Sequence, residues 1–245
     1  MSTLFGLSVS PWSEKTRWAL DYANAHYQYQ EFTPMISNLG VRIKSKRFFN
    51  RISVPLLIDG DSVFSDSFSI AKHANTHSKK DSLFPQEKCD EIDHWNSISE
   101  QTLEAGRALV VINMQSNREA CLKSLPPFFP EPIKPLMLPV AKSGLFYLKK
   151  KYDVSEKNVR RYEQIIEDNL QKLQKALADN PQYLLGSFTY ADICMAVTLQ
   201  VIKPIQNRHV MLDSATEQCW KNEALAEKFS DLIAWRDDIY QQYRR

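Results

Sequence analysis

The sequence predicts a small α/β domain at the N-terminus followed by an all-α domain. Short runs typical of strands occur only before residue 65, at residues 4–7, 27–32, 53–58 and 62–64. Helical periodicity dominates afterwards, most clearly over residues 155–178, where apolar side chains recur on one face. The predicted boundaries are residues 1–79 for the α/β domain, 80–88 for a linker and 89–245 for the helical domain.

The composition describes an ordinary globular protein. Hydrophobic residues make up 43% of the 245 residues and charged residues 24%. A net charge of +2 gives no reason to expect nucleic acid or an acidic membrane as a partner. No apolar run approaches the ~20 residues of a membrane span, and the N-terminus lacks the pattern of a secretory signal. We therefore expect a cytoplasmic protein.

The cysteines and histidines do not predict a metal site. The cysteines are far apart, without a C-x-x-C pair, and the histidines form no group with the spacing of zinc ligands. Cys194 lies in an apolar segment and is expected to be a small buried residue. We expect no metal and no disulfide framework.

The first strand leads directly into a helix with a strong start signal. Ser10 is a favourable N-cap residue, and Pro11 occupies the first helical position, where a missing N–H costs nothing. The N–H groups and the dipole of a helix N-terminus attract anions. This turn therefore suits an anion such as a thiolate.

The following elements complete the mixed sheet. The strand at 27–32 closes a βαβ unit, and Asp59-Gly60 predicts a hairpin turn. Pro55 is expected at the start of its strand, and Asp66 or Ser65 can cap the next helix. Residues 33–52 are basic; they are either a solvated loop or short helix, or a cationic rim facing a carboxylate. The predicted element order is βαβαββα.

The remaining chain is predicted to be helical. A segment at 190–203 is apolar on nearly all sides, which indicates a central buried helix. Prolines recur throughout residues 125–139, so we expect an irregular extended segment that packs on the protein. The predicted helices are 87–114, 155–178, 190–203 and one or two within 223–241.

Several of these features occur together in one known family. They are the turn Ser10-Pro11-Trp12-Ser13, Val54-Pro55 before a strand, Asp66-Ser67 at a helix start, and Thr189 with Asp192 in the pattern of a capping box. In this order they resemble the cytosolic glutathione transferase superfamily, in particular its serine-type, zeta-, theta-, beta- or omega-like members of bacterial type. The resemblance covers essentially the whole chain.

The resemblance implies a thioredoxin-like N-terminal domain with a cis proline at Pro55 and glutathione as the co-substrate. Ser10 and Ser13 align with the two cysteines of a thioredoxin C-x-x-C and are the candidate catalytic residues. No tyrosine stands before Tyr22, which disfavours the tyrosine-dependent classes, and many members have Lys or Gln where this chain has Ser53. The candidate glutathione-binding residues are Trp12, Ser53, Val54, Pro55, Asp66 and Ser67.

The proposed chemistry leaves alternatives open for each residue. Lowering the pKa of a thiol from about 8.5 by about two units requires about 2.7 kcal/mol of preferential stabilisation of the thiolate. Ser10 could supply part of it as a hydrogen-bond donor, Ser13 could do so instead, or Ser10 could only cap its helix. Trp12 could line the electrophile site or belong to the core, and Asp66 and Ser67 could bind the γ-glutamyl group or only cap a helix.

The function implied is that of a glutathione transferase acting on a small hydrophobic electrophile. The alternatives are a glutathione-dependent isomerase or dehalogenase, and a non-catalytic binding protein of the same fold. A thiol–disulfide reductase is disfavoured, because Ser10 and Ser13 offer no redox-active sulfur. The resemblance also implies a homodimer.

Overall fold

A computed structural model of the chain describes residues 2–32, 53–126 and 128–244. The basic stretch at 33–52, with the short helix considered for it, therefore lies outside the described residues.

The N-terminal part contains a four-stranded mixed sheet. Strand β1 pairs with β2 in parallel and with β3 antiparallel, and β4 pairs antiparallel with β3. The order across the sheet is β2-β1-β3-β4. The strands are β1 (Ser2–Gly6), β2 (Tyr27–Glu31), β3 (Leu56–Asp59) and β4 (Ser62–Phe64).

Helices α1 (Pro11–Tyr22) and α2 (Ser67–Thr76) belong to this part of the chain. Leu20 of α1 and Ile70 of α2 join a cluster with Leu4 and Leu57 of the sheet. Burial of such side chains contributes roughly 1.5–3 kcal/mol each, so the cluster fixes both helices against the sheet. A small mixed sheet followed by a largely helical region confirms the predicted fold class.

Eight α-helices follow in the described residues. Helix α7 is buried along its whole length, as predicted for the central segment, although it is shorter and continues as a turn of 3₁₀ helix. The helices are α3 (Cys89–Ser116), α4 (Arg118–Lys123), α5 (Leu138–Lys151), α6 (Val159–Asp179), α7 (Tyr190–Thr198), α8 (Ser214–Trp220), α9 (Glu223–Lys228) and α10 (Ser230–Tyr243).

The prediction of an extended segment over 125–139 is wrong at its C-terminal end. Residues Lys134–Met137 form a turn of 3₁₀ helix, and α5 begins at Leu138. Pro139 is compatible with this start because the first turn of a helix does not need its N–H. Phe129 and Met137 pack on a cluster around the buried side chains of Cys121 and Leu145, so the segment is part of a small core.

Helices α1 and α2 of the N-terminal part share a hydrophobic core with the helical region. Trp18 of α1 lies 4.4 Å from Tyr240 of α10, measured between ring centroids. The Tyr190 hydroxyl donates to the carbonyl oxygen of Ser67 at 3.3 Å, and the Tyr190 N–H donates to that of Leu83 at 3.0 Å. Leu83, within the predicted linker, is buried. The boundaries at 79 and 89 stay a prediction.

The predicted capping box is present at the start of α7. The Asp192 carboxylate accepts from the Thr189 N–H at 2.8 Å and also from the Leu184 N–H at 2.9 Å. Both side chains are buried, which supports the structural role predicted for them.

Across the described residues, no helix has the length and apolar character needed to cross a membrane.

Candidate active site

The sheet topology brings the three N-terminal motifs to one edge. β1 and β4 both end at this edge, whereas β3, antiparallel to both, begins there. The turn containing Ser10 follows β1, Pro55 precedes β3, and Asp66 follows β4. Motifs that are separated by as many as 56 positions in the chain therefore meet at one edge of the sheet.

Ser10 occupies the N-cap position of α1, as predicted, but its side chain does not cap the helix. The residue has extended backbone angles, with φ −84° and ψ 127°, and its hydroxyl makes no capping hydrogen bond. Its backbone N–H donates to the Leu7 carbonyl oxygen at 2.9 Å. The side chain is half-buried, so the hydroxyl stays available at the end of the helix.

Ser13 differs from Ser10 in its surroundings. Its side chain has 0% exposure, and its Oγ accepts a hydrogen bond from the Leu7 N–H at 3.0 Å. A Cβ on Gly6 would lie 3.0 Å from this oxygen, which shows how closely β1 and α1 approach there. Ser13 therefore joins the turn to the helix from the interior side, and its catalytic role stays a prediction.

Some of the N–H donors in the turn are already used. Glu31 accepts from the Ser8 N–H at 2.9 Å and from the Tyr29 hydroxyl at 2.9 Å. Burial and the Glu31 carboxylate raise the pKa of Tyr29. The donors left for an anion include the N–H groups of the first turn of α1, at Trp12 and Ser13, which have no intrahelical acceptor in such a position. Fewer donors are free than the strand-to-helix turn alone predicts.

The residues before β3 lie at the same edge. The Val54–Pro55 peptide bond is cis, as the resemblance implies. Pro55 is buried at the start of its strand, Val54 is half-buried, and Ser53 is exposed. Their contact with glutathione stays a prediction.

Asp66 and Ser67 begin α2. Asp66 is the N-cap residue, and its carboxylate accepts from the Ser69 N–H at 2.7 Å. The residue is exposed, so the carboxylate also faces solvent beside the sheet edge. Ser67 is buried, with 3% exposure. Capping by Asp66 is thus observed, whereas ligand binding by either residue stays a prediction.

Trp12 connects the turn to α3 through polar contacts that the sequence did not reveal. Its Nε1 donates to one carboxylate oxygen of Glu100 at 2.6 Å, and the buried Lys15 pairs with the other at 2.5 Å. The guanidinium carbon of Arg107 lies 4.8 Å from the Trp12 ring centroid and 3.7 Å from that of Tyr152. These residues form an aromatic and charged wall beside the N-terminus of α1.

The described residues contain no group of three or more His, Cys, Asp or Glu side chains that could hold a metal ion. Cys194 is fully buried, and burial raises the pKa of its thiol to about 12. A thiol with so high a pKa is poorly suited to nucleophilic chemistry at neutral pH.

Comparisons with known proteins agree with this architecture. Residues 9–77 match the family model described as "Glutathione S-transferase, N-terminal domain". No sequence of a curated protein matches the chain.

Solved structures with a similar fold cover nearly the whole chain. A glutathione S-transferase from Methylobacillus flagellatus KT with glutathione bound is 16% identical, has a TM-score of 0.63, and aligns over 98% of this chain and 95% of its own. One from Ceriporiopsis subvermispora in complex with glutathione is 14% identical, with a TM-score of 0.67 and coverage of 100% and 98%. A β-etherase from Sphingobium sp. strain SYK-6 is 16% identical, with a TM-score of 0.60 and coverage of 98% and 94%.

Proposed function

We propose that this chain is a member of the glutathione S-transferase superfamily and an active transferase that joins glutathione to a small hydrophobic electrophile. The observation that carries the proposal is the Ser10 hydroxyl, which lies at the N-terminus of α1, is half-exposed and is not used to cap the helix. A donor in this position is suited to an anionic acceptor.

In the proposed reaction Ser10 donates a hydrogen bond to the sulfur of bound glutathione and stabilises its thiolate. The first-turn N–H groups of α1 and the helix dipole add to this stabilisation. Together they act on the ligand, so serine itself is not the nucleophile. The thiol proton would leave to solvent, and the thiolate would form a sulfur–carbon bond with the electrophile. Either a leaving group departs with the electron pair of its bond, or the thiolate adds to an activated double bond, which then takes up a proton from solvent.

The binding of glutathione is assigned to the other two motifs at the sheet edge. The main chain of Val54 beside Pro55 would pair with the cysteinyl part of glutathione. The exposed Asp66 carboxylate would accept from the γ-glutamyl ammonium, and the N-terminus of α2 at Ser67 would face the γ-glutamyl carboxylate. Trp12 would line the side that receives the electrophile.

The test is retention on immobilised glutathione combined with turnover of standard aromatic and alkyl electrophiles. We expect retention, elution by free glutathione and measurable conjugation. Retention without turnover on any electrophile would support the non-catalytic alternative. Absence of both would overturn the proposal. A wider panel with isomerisable and halogenated substrates then separates transfer from isomerisation and dehalogenation.

We also propose that the protein forms a homodimer, as the resemblance implies. Light scattering on the purified chain gives the molar mass directly. A mass near twice 28.4 kDa is expected, and a mass of one chain would contradict it.

A further inference from the structure

Arg107 is a partly buried cation without an acceptor among the described residues. It lies on α3, and its Nε is buried and has no hydrogen-bond partner. Its guanidinium lies between the rings of Trp12 and Tyr152, at 4.8 Å and 3.7 Å from their centroids. Cation–π contact stabilises such an arrangement but does not supply the acceptor that the Nε–H group lacks.

The neighbouring carboxylates do not neutralise Arg107. Glu100 lies about two helical turns before Arg107 on α3, and its carboxylate already accepts hydrogen bonds from Trp12 and Lys15. Glu104 is exposed and forms no described ion pair with Arg107. Burial lowers the pKa of Arg107, while the charges of Tyr152, Glu104 and Glu100 oppose this change. Arginine stays charged in proteins, and the terminal nitrogens of Arg107 are not among the buried unpaired atoms, so an anionic ligand could reach them and pair with the charge.

The position of Arg107 places it beside the proposed thiolate site. Trp12 follows Ser10 by two residues, and its ring contacts the guanidinium directly. Both rings contact the guanidinium, whose N–H groups lie in its own plane. A molecule that approaches the end of α1 on the Trp12 side would therefore meet both an apolar surface and a fixed positive charge.

We propose that Arg107 is a specificity-determining residue that binds a carboxylate or a similar oxyanion on the electrophile, whose apolar part packs on Trp12 and Tyr152. This inference rests on the proposed function, since it concerns the second substrate of the same site. The preferred substrates are amphipathic electrophiles with an acidic group, and neutral hydrophobic ones bind less well. A guanidinium is suited to this task because it can donate two parallel hydrogen bonds to one oxyanion.

The test compares matched glutathione conjugates and does not need turnover. S-carboxyalkyl glutathiones of increasing chain length are each paired with the S-alkyl glutathione of equal length. Their affinities are measured by calorimetry for the wild type, Arg107→Gln, Arg107→Lys and the control Arg160→Gln, an exposed arginine on α6. Thermal unfolding of each variant confirms that it is folded.

At one or more chain lengths, the wild type and Arg160→Gln should bind the acidic conjugate about tenfold more tightly than the neutral one, the size expected for a hydrogen bond to a charged group. Arg107→Gln should lose this preference while its affinity for glutathione itself stays unchanged. Arg107→Lys should keep part of the preference, because it retains the charge without the planar pair of donors.

The outcomes separate this inference from the proposed function. Equal affinity of the wild type for acidic and neutral conjugates at every length, with glutathione bound normally, would overturn the role of Arg107 and leave the transferase proposal standing. An equal loss of affinity for both conjugates in Arg107→Gln would indicate a purely packing role and would also overturn it. Failure of the wild type to bind glutathione or any conjugate would overturn both proposals.

Discussion

Two serines in the same turn have different physical environments. The Ser13 oxygen accepts from the Leu7 N–H in the interior, whereas the half-exposed Ser10 hydroxyl makes no capping bond. A hydrogen bond that is fully enclosed contributes to folding, while a hydroxyl without a capping role contributes little to it. Ser13 therefore supports the turn, and in the proposed function the Ser10 hydroxyl faces the ligand.

This difference predicts unequal effects on stability for two alanine substitutions. Ser13→Ala leaves the Leu7 N–H without its acceptor, so the free energy of unfolding should fall by about 1–3 kcal/mol. Ser10→Ala removes no capping bond and should change it by less than about 0.5 kcal/mol. Denaturant unfolding of both variants measures this directly. A larger loss in Ser10→Ala than in Ser13→Ala would contradict the division of roles.

At the scale of elements, close packing depends on one glycine in α3. A Cβ on Gly106 would lie 2.4 Å from Val201 Cγ1 and 2.6 Å from Val201 Cβ, so no larger side chain fits without movement. Gly144 in α5 has nothing within 4 Å of such a Cβ. Gly106 is thus required by the close contact with Val201, whereas the position of Gly144 has room for a larger side chain.

The two glycines form a matched pair of predictions. Gly106→Ala should destabilise the protein by about 1–3 kcal/mol through overpacking against Val201. Gly144→Ala should stabilise it by about 0.5–1 kcal/mol, because alanine loses less conformational entropy in a helix. The midpoint of thermal unfolding reports both. A stabilising effect of Gly106→Ala would show that α3 and the turn after α7 are not in close contact.

The elements could be predicted from the sequence where the local signals were unambiguous. Asp59-Gly60 correctly predicted the hairpin between β3 and β4, and Thr189 with Asp192 correctly predicted the start of α7. Helix α5 was missed because the prolines that precede it indicate a break, and Pro139 is tolerated only because it falls in the first turn. Such a helix depends on tertiary packing of Ala141 and Leu145, which periodicity alone does not reveal.

At the scale of the whole molecule, Arg244, which follows α10, forms ion pairs with two acidic residues of α1. Arg244 donates to Glu14 at 2.8 Å and to Asp21 at 2.6 Å, and the side chains of Arg244 and Glu14 each have 1% exposure. Arg17 also contacts Glu14, at 2.8 Å. The Arg244 contacts hold the end of α10 against α1, the helix that Ser10 precedes.

Removing the Arg244 charge should therefore weaken the whole fold. Arg244→Gln leaves Glu14 with Arg17 as its described ion-pair partner, and we expect a loss of about 3 kcal/mol in the free energy of unfolding. The exposed control Arg160→Gln should change it by less than about 0.5 kcal/mol. Denaturant unfolding compares the two. Equal stability of both variants would show that the buried charges are not coupled.

The candidate site contains residues that local motifs predict and contacts between α1 and α3 that they do not predict. The residues at the sheet edge could be predicted, because each motif signals its own local structure. The wall of Trp12, Glu100 and Arg107 could not, since Trp12 and Glu100 are 88 positions apart. Helical spacing places Glu100 and Arg107 on one face of α3, but only the packing of α3 against α1 shows which face meets Trp12.

The central claim is that Ser10 stabilises the thiolate of bound glutathione, and the pKa of that thiol tests it most directly. Ultraviolet titration of the thiolate in the complex gives this pKa for the wild type and for Ser10→Ala. We expect the wild type to hold it about two units below the usual value near 8.5, and Ser10→Ala to raise it by about 1–2 units with glutathione still bound. An unchanged thiol pKa in Ser10→Ala, together with a raised one in a folded Ser13→Ala variant, would contradict the assignment.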